Sequence, residues 1–485
     1  MRLGRWIQAS AMALGFGVLL GGCATSSNTA SGQRLDQMLA DPALHGATVS
    51  LTVRDARSGA TLYQHNPRTR LVPASNLKLL TTAAAMDVLG PQYRFSTQLL
   101  SNGQQQGDRL TGNLYLRGLG DPTLQFADYQ VLAAQLASRG VREVQGDLVF
   151  DDTWFDAERL GVDWSHDDES TYYGAQISAL TVSPNSDFDA GTVLVTAKAP
   201  LRAGQPVGVE IFPPTDYLQL SNRAVSGPGN TYGINRRHGT NLLQLSGAVA
   251  PGKQSQQLVS VWEPTQLVAN LFEQALAQQG IRVSGRRVMG GTSPATASVL
   301  AEHQSAPLQE LITPLLKLSN NNMSEALLKA MGRQTANSGT AAAGALAVAG
   351  FLKRQGLDAA ALNQVDGSGL SRRNLVSSQT LTDLLLAASK QPWFNAWYNA
   401  LPIAGNADRM TGGSLRYRLV GTPAENNLHA KTGSMGGVSS LSGYINDARG
   451  HRLVFSMVTN NYVVAGAQVK AVENRVAVAL AGWDN

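Results

Sequence analysis

The 485-residue sequence predicts a mixed α/β fold in which β-rich inserted domains interrupt the main domain. Three features lead to this fold class. A β-hairpin and an apolar helix come first, about 200 residues of short strands and turns follow, and helices with three more strands complete the chain. A stretch of about 200 residues is far longer than a loop between neighbouring elements. It therefore forms one or more domains inserted into the first.

The first 22 residues have the features of a secretory signal peptide. Arg2 and Arg5 precede a largely apolar stretch, and small residues follow it. Residues 20–23 read Leu-Gly-Gly-Cys, which resembles a bacterial lipobox and implies cleavage before Cys23 and acylation of that cysteine. An uncleaved membrane anchor is the alternative, but Gln8 and glycines interrupt the apolar stretch, which is shorter than the ~20 residues that span a bilayer.

Residues 23–32 are then expected to form a flexible tether, because Ser, Thr, Asn and Gly dominate their composition. The lipid on Cys23 would anchor the protein to a membrane, and we expect a periplasmic protein held at the outer membrane. Cys23 is the only cysteine, so an intramolecular disulfide and a cysteine-based metal site are both excluded.

Composition and charge exclude several classes of function. With 43% hydrophobic and 15% charged residues, the chain is not intrinsically disordered. The formal net charge of +5 is small for this length and gives no basic patch of the kind that nucleic-acid binding requires. The seven histidines include no His-Glu-x-x-His motif, so we expect neither a metallopeptidase nor any metal or cofactor.

Hydrophobic periodicity and turn residues predict the individual elements. A hairpin at residues 47–65 precedes a helix at residues 74–89 that is apolar on all sides and therefore predicted to be buried. Short strands are predicted at residues 114–116, 147–150, 192–196, 207–212, 258–261 and 281–284, with one helix at 263–279. The C-terminal part is predicted to have helices at 307–318, 323–332, 341–355, 380–388 and 465–480, and strands at 427–432, 441–446 and 451–459.

A serine and a lysine three residues apart begin the apolar helix. Ser75 and Lys78 share one helix face, so the lysine amine can reach the serine hydroxyl. The positive end of the helix also favours an oxyanion that forms near Ser75. A lysine within an apolar helix has to be either paired or neutral. Alone, the pattern Ser-x-x-Lys is weak, because in most proteins it describes two surface side chains.

Two further short motifs lie at the ends of predicted elements. Residues 319–321 (Ser-Asn-Asn) occupy the break between two predicted helices, where serine and asparagine also serve as helix caps. Residues 431–434 (Lys-Thr-Gly-Ser) end a predicted edge strand, and the glycine permits close approach of a ligand or another backbone. Each motif is weak alone, but the three together, in this order and in these settings, indicate serine acyl transfer.

Together the motifs resemble the signature of penicillin-binding proteins and β-lactamases. The long separation between the first two resembles the class C low-molecular-mass penicillin-binding proteins, which are DacB-type serine D-Ala-D-Ala carboxypeptidases and endopeptidases. Four further stretches are similar to that family: Arg-Gly-Leu-Gly-Asp-Pro-Thr-Leu at residues 117–124, Gln-Gly-Asp-Leu-Val at 145–149, Asp-Gly-Ser-Gly-Leu-Ser-Arg at 366–372 and Leu-Pro-Ile-Ala-Gly at 401–405.

The resemblance implies a β-lactamase/transpeptidase-like main domain, in which helices cover an antiparallel sheet, and inserted domains that are nested. This nesting divides the chain into three predicted domains. They are a main domain at residues 33–92 and 300–485, inserted domain II at 93–182 and 258–299, and inserted domain III at 183–257.

The resemblance also implies the role of each residue. Ser75 attacks the carbonyl carbon of the penultimate D-Ala of a peptidoglycan peptide, with neutral Lys78 as the base. Burial and the positive charge of Lys431 are both expected to lower the pKa of Lys78. Ser319 is expected to pass the proton to the leaving amine, and Asn321 to orient Lys78 and the substrate amide.

The third motif is expected to bind the end of the substrate. The resemblance implies that Lys431 and Thr432 bind the C-terminal carboxylate of the peptide or of a β-lactam, next to Gly433 and Ser434. The backbone N–H groups of Ser75 and Ser434 are the expected oxyanion hole. β-Lactam antibiotics are therefore expected to acylate Ser75.

Two departures from the family and two alternative functions remain open. Asn320 stands where many relatives carry aspartate, and residues 406–414 form a longer segment than usual. A non-catalytic lipoprotein that binds peptidoglycan is one alternative, although the motifs are intact. A β-lactamase is the other, although the insertion is large and no additional hydrolytic carboxylate motif is present.

Overall fold

The computed structural model describes residues 29–484. The helices, in chain order, are α1 (Ala30–Leu39), α2 (Lys78–Val88), α3 (Phe126–Ser138), α4 (Pro264–Gln278), α5 (Leu308–Leu318), α6 (Asn321–Ala336), α7 (Ala341–Arg354), α8 (Ser378–Ala388), α9 (Phe394–Ala400), α10 (Arg409–Gly412) and α11 (Gly466–Ala481).

The strands, in chain order, are β1 (Thr48–Asp55), β2 (Thr61–His65), β3 (Ser96–Ser101), β4 (Gln105–Gln106), β5 (Arg109–Leu110), β6 (Leu114–Gly118), β7 (Glu143–Val144), β8 (Leu148–Asp151), β9 (Thr192–Lys198), β10 (Gly208–Phe212), β11 (Gln219–Asn222), β12 (Val225–Ser226), β13 (Gly233–Arg236), β14 (Leu242–Ser246), β15 (Ala248–Val249), β16 (Gln254–Ser260), β17 (Arg282–Val283), β18 (Arg287–Met289), β19 (Ser298–Gln304), β20 (His429–Met435), β21 (Val438–Asn446) and β22 (Arg452–Asn460).

The predicted signal peptide, Cys23 and most of the predicted tether lie outside the described residues. Helix α1 begins at Ala30, so the last three tether residues are helical rather than flexible. The Thr29 side chain caps this helix by accepting from the N–H of Gly32 at 3.1 Å. Between residues 29 and 484, none of the helices has the length and hydropathy needed to cross a bilayer.

Both ends of the chain build one antiparallel sheet of five strands, in the order β2-β1-β22-β21-β20. Leu453, Phe455 and Met457 of β22 face the apolar cluster that contains α11. The alternate residues Val454 and Val458 face the cluster that contains α2 and α5. Helices therefore cover both faces, and the prediction of an antiparallel sheet covered by helices is confirmed.

Helix α2 is buried between this sheet and the other helices, as its apolar composition predicts. Every residue from Lys78 to Met86 is buried. The helix packs against α6 and α7, with further contacts to α5 and α8. The 3-10 turn that precedes it, Ala74–Leu77, lies against β21 and against β20, which carries the third motif.

The region from β3 to β19 forms separate sheets of two to five strands, which supports the predicted insertion. One apolar cluster runs from Leu99 to Ala301 and includes residues of both predicted inserted domains. Strand β16 crosses the predicted boundary at residues 257/258, and β19 crosses the one at 299/300 while pairing with β3 along its length. The nested division stays a prediction, and these two strands place its boundaries a few residues later.

Helix α3 was not predicted, because the turn signals around it are typical of short strands. Its buried residues Tyr129, Leu132 and Leu136 nevertheless have helical spacing. A capping box also begins it, in which the Asp128 carboxylate accepts from the Gln125 N–H at 2.8 Å. Helices α1, α9 and α10 were missed as well.

Candidate active site

Ser75 lies in a single 3-10 turn, Ala74–Leu77, that leads directly into α2. Ala74 has a φ of 46°, in the left-handed region that residues other than glycine rarely adopt. Such a conformation is maintained where surrounding contacts impose it, often beside a functional group. Ser75 lines a large cleft, and Lys78 begins α2 one turn behind it.

The side chain of Lys78 is fully buried and makes three hydrogen bonds. Its Nζ donates to Ser75 Oγ at 2.9 Å, to Asn321 Oδ1 at 2.7 Å and to the carbonyl oxygen of Ser368 at 2.7 Å. The structure therefore brings the first two motifs together at the lysine amine.

Burial lowers the pKa of Lys78 to about 7. The Glu325 and Asp366 carboxylates act in the opposite direction, because negative charge stabilises the ammonium form. The predicted effect of burial is present, but the charges that act on Lys78 are these carboxylates rather than Lys431. The repulsion between the two lysines instead affects Lys431. Burial and, second, the charge of Lys78 lower the pKa of Lys431 well below its usual range.

The second and third motifs meet at Ser319 and Lys431. Fully buried on β20, Lys431 donates from Nζ to Ser319 Oγ at 2.9 Å and to the carbonyl oxygen of Thr432 at 2.8 Å. Ser319 ends α5 in a left-handed conformation with a φ of 62°. Each of the two lysines thus contacts one serine hydroxyl, and both serines line the same cleft.

Gly433 allows β20 to lie directly against the turn that carries Ser75. A Cβ atom at position 433 would lie 2.3 Å from Ser440 Oγ and 2.6 Å from the carbonyl oxygen of Pro73. The expected close approach is therefore made by a neighbouring backbone. The preceding residue, Thr432, has its hydroxyl 2.7 Å from Ser414 Oγ.

Asn321 connects the lysine to the insertion. While its Oδ1 accepts from Lys78, its Nδ2 donates to the carbonyl oxygen of Tyr173 at 2.8 Å.

The cleft itself has a volume of about 670 Å³. Ser75, Ser319, Asn321 and Ser434 line it from the main domain, and Trp164, Tyr172 and Tyr173 line it from the insertion.

Residues 31–482 match the sequence model of the D-Ala-D-Ala carboxypeptidase 3 (S13) family. The chain belongs to this S13 family. It is therefore a serine peptidase of the D-Ala-D-Ala carboxypeptidase type, and the predicted family, fold class and enzyme class are confirmed.

Individual relatives match most of the chain. The D-alanyl-D-alanine carboxypeptidase of Actinomadura sp. (strain R39) is 43% identical over 468 residues, which are 94% of this chain and 86% of the relative. DacB of Haemophilus influenzae is 29% identical, with 88% of both chains covered. The crystal structure of penicillin binding protein 4 (dacB) from H. influenzae matches with a TM-score of 0.82 at 25% identity, covering 93% of this chain and 99% of that one.

Two buried carboxylates behind the S13 motifs were not predicted. Glu325 accepts from the N–H groups of Gly367 and Ser368, both at 2.8 Å, and Asp366 accepts from the N–H of Gly369 at 2.9 Å. They fix the turn whose carbonyl group contacts Lys78. The sequence does contain one indication of the role of Glu325. This residue lies four positions after Asn321 in α6 and therefore shares its helix face.

Both departures from the S13 pattern contact one segment of the insertion. The Asn320 side-chain amide donates to the carbonyl oxygens of Asp187 at 3.1 Å and Phe188 at 2.8 Å, while its oxygen caps α6. Arg409, in the longer segment, binds both carboxylate oxygens of Asp187 at 2.5 Å. An aspartate at position 320 could not donate to these carbonyls, so asparagine suits this insertion.

Proposed function

We propose that this chain cleaves the D-Ala-D-Ala end of peptidoglycan stem peptides, and the corresponding cross-link between peptides, through an acyl-enzyme on Ser75. The observation that carries the proposal is the 2.9 Å contact between Lys78 Nζ and Ser75 Oγ. Because the pKa of Lys78 is about 7, much of the amine is neutral near neutral pH and can accept the hydroxyl proton.

In acylation, Lys78 takes the proton of the Ser75 hydroxyl, and Oγ bonds to the carbonyl carbon of the penultimate D-Ala. The carbon–nitrogen bond then breaks, and Ser319 relays the proton to the leaving amine, so Lys78 ends neutral again. Lys431 holds the Ser319 hydroxyl at 2.9 Å for this transfer. Water later hydrolyses the ester and restores Ser75.

The third motif is proposed to hold the substrate along β20. Lys431 and the hydroxyl of Thr432 bind the terminal carboxylate, next to Gly433 and Ser434 at the cleft edge. Burial and, second, the repulsion from Lys78 lower the pKa of Lys431, and the substrate carboxylate opposes both effects, so binding favours the charged form of that lysine. The backbone N–H groups of Ser75 and Ser434 are the proposed oxyanion hole.

β-Lactams are proposed to acylate the same serine. A crystal structure of the H. influenzae protein complexed with a novel β-lactam matches this chain with a TM-score of 0.74 at 25% identity, covering 92% of this chain and 97% of that one. Chemistry through Ser75 and the two lysines needs no cofactor.

Hydrolysis of defined peptides tests the proposal. Purified protein is incubated with muropeptide monomers that end in D-Ala-D-Ala and with cross-linked dimers, and the products are separated by chromatography. Release of D-Ala or splitting of the dimers by the wild type, with loss of both in Ser75→Ala, is the expected result. If neither substrate is cleaved, the proposed hydrolase activity is wrong.

The two alternatives give different results with a fluorescent penicillin. A non-catalytic peptidoglycan-binding lipoprotein would not be labelled, whereas a β-lactamase would be labelled and would then turn the adduct over rapidly. We expect a stable label that requires Ser75.

We further propose a lipoprotein held in the periplasm at the outer membrane by acylation of Cys23. The signal-peptide pattern and the Leu-Gly-Gly-Cys sequence support this proposal. Expression of the wild type and of Cys23→Ser, followed by membrane fractionation and mass spectrometry, tests it. The wild type should be acylated and sediment with outer membranes, and an unmodified, soluble wild type would contradict the proposal.

A further inference from the structure

His238 lies beside His166 and Glu169 next to the cleft, although about 70 residues separate it from them in the sequence. His166 begins a single 3-10 turn, Glu169 follows that turn, and His238 lies in the loop between β13 and β14. Two imidazole nitrogens and one carboxylate oxygen from these residues lie within 4.8 Å of one another. The centroids of the two imidazole rings are 4.6 Å apart. Folding thus creates a histidine pair that the sequence does not show.

A buried arginine fixes the carboxylate of Glu169. Arg236 donates from Nη2 to Glu169 Oε1 at 2.8 Å and to the main-chain oxygen of Glu169 at 3.0 Å, and its side chain is 0% exposed. The second carboxylate oxygen, Oε2, contacts Nδ1 of His238. Carboxylate ligands of metals are commonly oriented by an outer residue that holds one oxygen, and here an ion would replace the direct contact between Oε2 and His238.

Solvent reaches the two imidazoles directly. The side chains of His166 and His238 are 69% and 62% exposed, and the cluster borders a cavity of about 200 Å³. Asp167 lines the same cavity, with Oδ1 3.7 Å from His166 Nδ1. An ion can therefore enter without unfolding of the protein, and a further oxygen ligand is within reach.

We propose that His166, Glu169 and His238 form a binding site for a divalent transition-metal ion, with zinc as the best match. Two imidazole nitrogens and one carboxylate oxygen suit Zn²⁺, whereas Mg²⁺ and Ca²⁺ prefer oxygen ligands only. Ligand atoms around a tetrahedral zinc ion lie roughly 3.3 Å apart, so small side-chain rotations close the site. Water or Asp167 completes the coordination.

The proposed ion would hold the wall of the active-site cleft. Tyr173, a few residues after the cluster, accepts from Asn321 at 2.8 Å, and Trp164, just before it, donates from Nε1 to Asp366 Oδ2 at 3.0 Å. Metal binding would connect this wall to the β13–β14 loop. Because the ion binds the folded chain, it should also raise the melting temperature.

Zinc titration of the full chain tests the site. Protein freed of metal with a chelator is titrated with zinc by calorimetry, and its melting temperature is measured with and without zinc. The test variants are His166→Ala and His166→Ala/His238→Ala. The matched control, His45→Ala/His451→Ala, removes two exposed imidazoles elsewhere.

Wild type and control are expected to bind one more zinc ion than the double variant and to melt at higher temperature when zinc is present. The single variant should lose at least about tenfold in zinc affinity. Zinc held at any other position, including Cys23, is common to all these proteins and cancels. Equal zinc stoichiometry and equal melting shifts in wild type and double variant would overturn the proposal. In that case the contact between His238 and Glu169 is a hydrogen bond only.

Discussion

The Nζ atom of Lys78 donates a hydrogen bond to the carbonyl oxygen of Ser368, 2.7 Å away. This contact connects the lysine to a turn that two buried carboxylates, Glu325 and Asp366, hold from behind. Burial lowers the pKa of the lysine, and the turn fixes the direction of its amine toward Ser75. The surroundings that lower the pKa of Lys78 and the turn that orients its amine are thus different parts of the main domain.

The rate of acylation is expected to rise as the pH increases through about 7. Only neutral Lys78 can accept the Ser75 proton, and the pKa of Lys78 is about 7, so the ammonium form predominates below this pH and the amine above it. The second-order rate constant for labelling by a fluorescent penicillin, measured against pH, checks this. A rate that is constant or falls through this range would show that Lys78 is not the base.

Glu325→Gln is expected to move the rise of the labelling rate with pH to a lower pH. The Glu325 carboxylate raises the pKa of Lys78, so removal of its charge leaves burial less opposed and lowers that pKa further. Burial raises the pKa of Glu325 itself to about 7, so its charge acts on Lys78 mainly in the upper part of this pH range, and the expected shift is correspondingly small. The variant also loses one of two hydrogen bonds to the turn, at a cost of about 1–3 kcal/mol in stability. Glu310→Gln, which neutralises an exposed carboxylate on α5, is the control and should keep the wild-type profile. If the labelling rate of Glu325→Gln rises at the same pH as in the wild type, or at a higher pH, this prediction is wrong.

Local spacing explains why the sequence predicts the contact between Ser75 and Lys78. Two residues three positions apart meet on a helical turn whatever the rest of the fold is. The buried helix, the hairpins and the final strand triplet are predicted equally well, because their apolar patterns are periodic over several residues. The contact between Lys431 and Ser319 has no such basis in spacing, and family resemblance indicated only that both residues belong to one site.

Contacts that depend on packing between distant segments could not be predicted. Glu325 and Asp366 reach Lys78 only after α6 and the turn after α7 have packed against α2. His166 and His238 likewise meet through the fold of the insertion. Sequence patterns give the elements, whereas these pairs depend on how the elements are arranged.

Gly433→Ala is expected to reduce the acylation rate by about a hundredfold. The added Cβ would lie 2.3 Å from Ser440 Oγ and 2.6 Å from the oxygen of Pro73, so β20 must move away from the Ser75 turn. Misplacement of reacting groups by about 1 Å has an effect of this size. Gly208→Ala is the matched control, because this strand glycine has only one neighbour within 4 Å, at 3.8 Å. Labelling of Gly433→Ala at the wild-type rate would mean that the close approach is not required.

Asn320→Asp is expected to lower the free energy of unfolding by about 1–3 kcal/mol. The variant keeps the cap of α6, but a carboxylate cannot donate to the carbonyl oxygens of Asp187 and Phe188. Urea denaturation followed by fluorescence measures the loss, with the exposed Asn337→Asp as control. Equal stability of Asn320→Asp and wild type would show that these two hydrogen bonds contribute little.

Mass spectrometry of the penicillin-treated protein tests the assignment of the nucleophile most directly. We expect a single covalent adduct, located on Ser75 after proteolysis, in the wild type and in Ser338→Ala, and no adduct in Ser75→Ala. An adduct on any other residue, or one that persists in Ser75→Ala, would contradict the assignment of Ser75 as the residue that Lys78 activates.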